Sequence, residues 1–184
     1  MEDRLKGLAR GRSRPKPEAG PFGTVMVFVL ALAVNFFYAA FKARFSGLGY
    51  FPDLLIIPVV WASLRSETFL AAAGAFVLGF FLDGLSYAPS GVMPLDLIVL
   101  VLAVRLLSKV LEFSSPFYIM CLNFFIFSLS NLVIYPLLIY ISYGNLPFDV
   151  ISSYFSIYCV QGVLTALAAP PAFWCLDRLT SAGD

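Results

Sequence analysis

Three aspartates, Asp53, Asp83 and Asp96, and two cations, Lys42 and Arg44, hold most of the chemistry that the apolar body of this 184-residue chain can offer. A carboxylate left at mid-bilayer costs about 2.5 to 3.5 kcal/mol on insertion scales, so each aspartate is expected at the end of an apolar segment or against a partner. Carboxylates accept hydrogen bonds, neutralise cations and ligate hard metal ions. Here they fall on three separate segments with no D-x-x-D spacing, so no metal site is expected. Histidine is absent, which removes the commonest general base and metal ligand. Cys121, Cys159 and Cys175 lie in apolar segments without C-x-x-C pairing and read as buried small hydrophobes. No catalytic constellation is visible.

The elements that must position these groups are apolar helices. The chain is 60% hydrophobic and 12% charged, with a mean hydropathy of +0.89, outside the range of soluble domains. Apolar runs predict six spans: Phe22 to Phe41, Phe51 to Leu64 with a kink at Pro58, Thr68 to Leu82, Val92 to Leu107, Phe117 to Ile141, and Tyr154 to Leu176, bent or ended by Pro170 and Pro171. Residues 1–21 form a basic, disordered tail, 22–178 the six-span domain and 179–184 a short tail. Asp53 reads as a first-turn residue that complements its helix dipole.

Ala71, Ala75, Gly79 and Asp83 recur every four residues and give one helix a smooth face that ends in a carboxylate. That face marks the candidate crowded centre of the bundle, either packed internally or receiving a partner helix. Asn123 and Asn131 place two amides on one face of the fifth segment, as expected for a neighbouring helix. Tyr158, Gln161 and Thr165 make a polar stripe on the last. Arg105 and Lys109 share a face with Glu112 and read as an interfacial anchor.

With the N-terminus inside, ten basic residues lie on the inner side and two, Lys42 and Arg44, outside. Both termini are then cytoplasmic. This topology gathers Asp53, Asp83, Asp96, Lys42 and Arg44 at the outer ends of their spans. They form a polar cluster that either neutralises itself or receives a partner.

The P-D-L-L of Pro52 to Leu55, the G-x-x-x-x-G-x-x-x-D of Gly74, Gly79 and Asp83, and the small-residue loop to Gly91 resemble the bacterial rod shape-determining protein MreD family. The likeness by motif covers Phe51 to Lys109, and the rest matches in size and hydropathy. It implies a cytoplasmic-membrane scaffold without enzymatic activity that binds MreC and is linked to MreB, to RodA and to its penicillin-binding partner in side-wall peptidoglycan synthesis. The implied fold is similar to the six-helix substrate-binding subunits of energy-coupling-factor vitamin transporters. That similarity supplies the competing function, a small-substrate pocket under the outer loops lined by Asp53, Asp83, Asp96, Asn123 and Gln161. Membrane lipids surround the domain and a homo-oligomer is compatible with it; nothing calls for a cofactor, a metal or nucleic acid.

Overall fold

The computed structural model describes residues 19–44, 52–84, 91–109, 115–143 and 148–181. Its helices are α1 (Pro21–Arg44), α2 (Ile56–Arg65), α3 (Thr68–Asp83), α4 (Val92–Ser108), α5 (Pro116–Leu129), α6 (Tyr135–Tyr143) and α7 (Phe148–Ser181). A π-helical turn, Ser130–Ile134, joins α5 to α6, so the described residues form six helical rods in an all-α bundle. Among the described residues three stretches are long and apolar enough to cross a membrane: Pro21–Phe41, Pro116–Leu138 and Ile157–Ser181. The helices α2, α3 and α4 have 10, 16 and 17 residues. At 1.5 Å per residue, α2 covers about half of a 30 Å hydrocarbon core.

The bundle is organised around α2, not around α3 as the small-residue face suggests. Eight consecutive residues of α2, Ile56 to Ser63, are buried. This short helix touches α1, α3, α4, α5 and α7. A helix apolar all round gives the same sequence signal in the core as in lipid, so its central place is not visible in its pattern. Pro58 produces no mid-helix interruption because α2 begins at Ile56, which leaves the proline in the first turn, where a missing N–H costs nothing.

At the periphery, α3 turns Phe69, Phe76, Phe80 and Phe81 outward and buries Ala71, Ala75, Leu78 and Gly79. Its most extensive contact is with α4. A Cβ on Gly79 would stand 2.6 Å from both the Cα and the N of Pro94, so the two backbones meet there directly. The smooth face is thus used for packing within the chain.

The second span starts at Ile56 and not at Phe51, and both boundaries of the last span differ from expectation. Helix α7 begins at Phe148, six residues earlier than read. It also runs through Pro170 and Pro171 to Ser181. Ala169, Phe173 and Leu176, on both sides of the prolines, are held in the core. The three cysteines are exposed and not buried. On a bundle with an apolar exterior, an apolar neighbourhood in sequence does not separate inside from outside.

Candidate functional site

Polar groups gather at the two ends of α2. At its C-terminal end, the carbonyls of the last turn need partners from outside the helix. Ala19 donates its N–H to the Arg65 carbonyl at 2.8 Å, and the Arg105 guanidinium donates to the Ser66 carbonyl. The hydroxyls of Thr24 and Ser66 are 2.7 Å apart. Asp177 of α7 accepts from Trp61 Nε1 at 2.8 Å and from Arg65 Nη2 at 2.9 Å. Next to Asp177 on α7, the Arg178 guanidinium lies 4.0 Å from the centre of the Trp174 ring, one turn back. Arg105 is therefore drawn onto the α2–α3 connector, whereas Lys109 is exposed. Glu112 lies outside the described residues.

At the N-terminal end of α2 the chain is not helical. Pro52 and Asp53 have no regular secondary structure, and Leu54 and Leu55 form a turn. The Tyr38 hydroxyl donates to the Pro52 carbonyl at 2.6 Å, and the Asp53 N–H donates to Thr165 Oγ1 at 2.7 Å. Asp53 Oδ1 accepts the Leu55 N–H at 2.9 Å, so this carboxylate supports the turn before the helix and not its first turn. Non-helical backbone at membrane depth is tolerated only where protein covers it or a cavity adjoins it. Here a cavity of about 340 Å³ adjoins it, lined by Tyr38, Pro52, Asp53, Leu55, Ile56, Met93, Asp96, Leu97, Ser130, Asn131, Tyr158 and Gln161.

Asp96 is 4% exposed, and its Oδ2 accepts from the Ser130 hydroxyl at 2.7 Å. Its Oδ1 has no hydrogen-bond partner among the described residues. Asp53 and Asp96 are thus brought to one cavity, and Asp83 is not. Instead Asp83 accepts the N–H groups of Gly91 and Met93, the latter at 3.1 Å, and caps the start of α4. Arg44 is exposed and absent from the lining; the Lys42 side chain and residues 45–50 lie outside the described structure.

Of the polar positions on later helices, Gln161, Tyr158 and Asn131 line the cavity. Asn123 does not: it is fully buried and donates to the Ile119 carbonyl of its own helix at 2.9 Å. Asn131 likewise donates to Phe127, one turn back, at 3.1 Å. A carbonyl four residues back is always within reach of a short polar side chain, so neither amide bond crosses to a neighbour. Sequence reasoning missed Tyr38 and Ser130, and also the Arg65–Asp177–Trp61 group. The signal for the last was the charge of Asp177 at the level of Arg65 under the six-span topology.

A second concavity, apolar and about 320 Å³, runs between α1 and α3 along Thr24, Val25, Phe28, Val29, Leu32, Leu70, Ala73, Gly74, Val77, Leu78 and Phe81. A Cβ on Gly74 would come within 2.2 Å of the Phe28 ring, so glycine lets that ring lie on the α3 backbone. Among the described residues no group of three or more His, Cys, Asp or Glu could hold a metal ion.

No curated protein and no solved structure matches the chain. The model of the family described as rod shape-determining protein MreD matches residues 21–174, from the first residue of α1 to the last turns of α7. With a helical bundle across the described residues of that range, the chain belongs to the rod shape-determining protein MreD family.

Proposed function

We propose that this rod shape-determining membrane protein works as a non-enzymatic scaffold of the cell-wall elongation machinery. Its apolar outer surface holds the transmembrane helix of MreC and so helps to organise peptidoglycan synthesis around MreB, RodA and its penicillin-binding partner. The observation that carries this reading is the apolar groove between α1 and α3. It opens on the side where Val25, Val29, Val77 and Phe81 are exposed, with the small residues Ala73 and Gly74 in its wall. Small residues at a lipid-facing groove permit close approach of another helix, and packing of this kind drives association where water exclusion cannot. The small-residue face of Ala71, Ala75 and Gly79 is the poorer candidate, because α4 occupies it.

The ten-to-two distribution of basic residues supports a place in the cytoplasmic membrane with both termini inside. The test is co-purification of tagged chain and MreC in mild detergent. Ala73→Trp fills the groove from an outward position and is expected to lose MreC while the chain remains inserted and monodisperse. Undiminished recovery of MreC with that variant would refute the groove as the docking face.

A further inference from the structure

The lipid-facing surface of the bundle has two heights. Among the described residues α1 has 24 residues, and the apolar stretches Pro116–Leu138 and Ile157–Ser181 have 23 and 25. At 1.5 Å per residue these rods reach about 35 to 38 Å and clear a hydrocarbon core of about 30 Å. The neighbouring pair α3 and α4, with 16 and 17 residues, reaches only about 24 to 26 Å. Exposed side chains repeat the contrast. From Phe69 to Phe81 on α3 and from Leu95 to Leu106 on α4, the large exposed apolar residues cover about 17 to 18 Å of helix axis. On the long rods they run from Phe22 to Phe41, from Phe117 to Ile141 and from Val160 to Leu179, about 28 to 36 Å.

The short pair is clasped at both ends. At one, Arg105 of α4 donates to the Ser66 carbonyl just before α3, and Glu67 and Lys109 are exposed. At the other, Asp83 accepts the N–H groups of Gly91 and Met93 and so ties the end of α3 to the start of α4. Between the clasps, Gly79 brings the two backbones together at Pro94, so neither helix can slide along the other to gain height. Tilt lowers the projected height of a helix and widens the shortfall. A face shorter than the hydrocarbon is accommodated by thinning of the bilayer, by snorkelling of flanking side chains or by oligomerisation. Snorkelling is limited here, because Arg105 is committed to the Ser66 carbonyl.

We propose that the bilayer is thinner beside α3 and α4 than around the rest of the bundle, and that this face retains phospholipids with short acyl chains. The proposal stands or falls independently of the scaffold reading, since the variants that test it touch no residue of the α1–α3 groove.

The experiment places the full chain in nanodiscs of dimyristoleoyl and dieicosenoyl phosphatidylglycerol in equal amounts, which differ in chain length alone. Native mass spectrometry reads the lipids that stay with the protein. The short-chain lipid is expected to be retained at least about twofold above its share in the disc. Glu67→Leu with Lys109→Leu lengthens the apolar face by about a turn and is expected to return retention toward the ratio in the disc. Arg178→Leu makes the same kind of change at the end of α7 and should leave the enrichment intact. Lys109→Leu alone, at an exposed position, serves if the double variant fails to fold. Equal retention of the two lipids by the unaltered chain would overturn the proposal. So would an enrichment that the lengthened face does not reduce, or one that Arg178→Leu reduces as much. Dimers without short-chain enrichment would overturn it too, since a second copy and not lipid would then cover the face.

Discussion

Asp177 Oδ2 meets Arg65 Nη2 at 2.9 Å across 112 residues of chain, and its other oxygen accepts from Trp61 Nε1, so one carboxylate of α7 holds two residues of the central helix. Trp61 is 1% exposed and Asp177 is 38% exposed at the side chain, which makes the indole bond the better protected of the two. Asp177→Ala is expected to lower stability by about 1–2 kcal/mol, with the ion pair contributing the smaller part because water screens it. Asp177→Asn keeps an acceptor for Trp61 and should lose less. Thermal unfolding in mild detergent checks both, and equal losses would show that the indole bond contributes nothing.

Gly79 tests the close approach of α3 and α4. Its missing Cβ would lie 2.6 Å from Pro94 backbone atoms, which cannot rotate aside as a side chain can. Gly79→Ala is expected to cost about 1–3 kcal/mol by overpacking, and Gly79→Leu to abolish accumulation of the folded chain. Gly84→Ala is the control, since its nearest contact there is at 3.4 Å. Equal expression and melting of Gly79→Leu and wild type would contradict the packing described.

Asp83 caps α4 through the N–H groups of Gly91 and Met93. Asp83→Ala should destabilise by about 0.5–2 kcal/mol, and Asp83→Asn, which retains an accepting oxygen, by clearly less. A melting series with the two variants separates a capping role from an electrostatic one, in which Asn and Ala would behave alike.

Asn123 leads to a prediction of opposite sign. It is fully buried, and its Oδ1 has no hydrogen-bond partner among the described residues. Its amide bond to the Ile119 carbonyl only supplements a carbonyl that the helix already uses. Asn123→Leu fills a similar volume without the stranded oxygen and is expected to raise stability by about 1 kcal/mol. A lower unfolding temperature for this variant would show that the oxygen has a partner.

The parts legible in the sequence were those with a one-dimensional signature. Apolar runs marked every rod, because span length and hydropathy are local quantities, and the Arg65–Glu67 connector fell where charge interrupts apolar sequence. Asp53 and Asp96 could be placed at one level by counting spans. Counting does not reveal azimuth, which is why Asp83, at the same level, caps a helix instead of facing the cavity. The central role of α2 was hidden for a related reason: in a membrane protein lipid and core are equally apolar, so burial leaves little trace in residue type. Ser130 was missed because a serine within an apolar run carries no sign of the residue on another helix that it meets.

The π-helical turn at Ser130–Ile134 amounts to an extra residue accommodated within an otherwise α-helical rod. Each residue advances an α-helix by about 100°, so such an insertion reorients everything before it relative to everything after it. The first half of the rod buries Ile119, Leu122 and Ile126, Ser130 continues that face four residues on, and the half after the turn takes a different phase. In evolutionary terms the two halves of the rod are one deletion away from another relationship: loss of a single codon in this turn would restore regular winding and swing the half after it about the rod axis relative to the half before it.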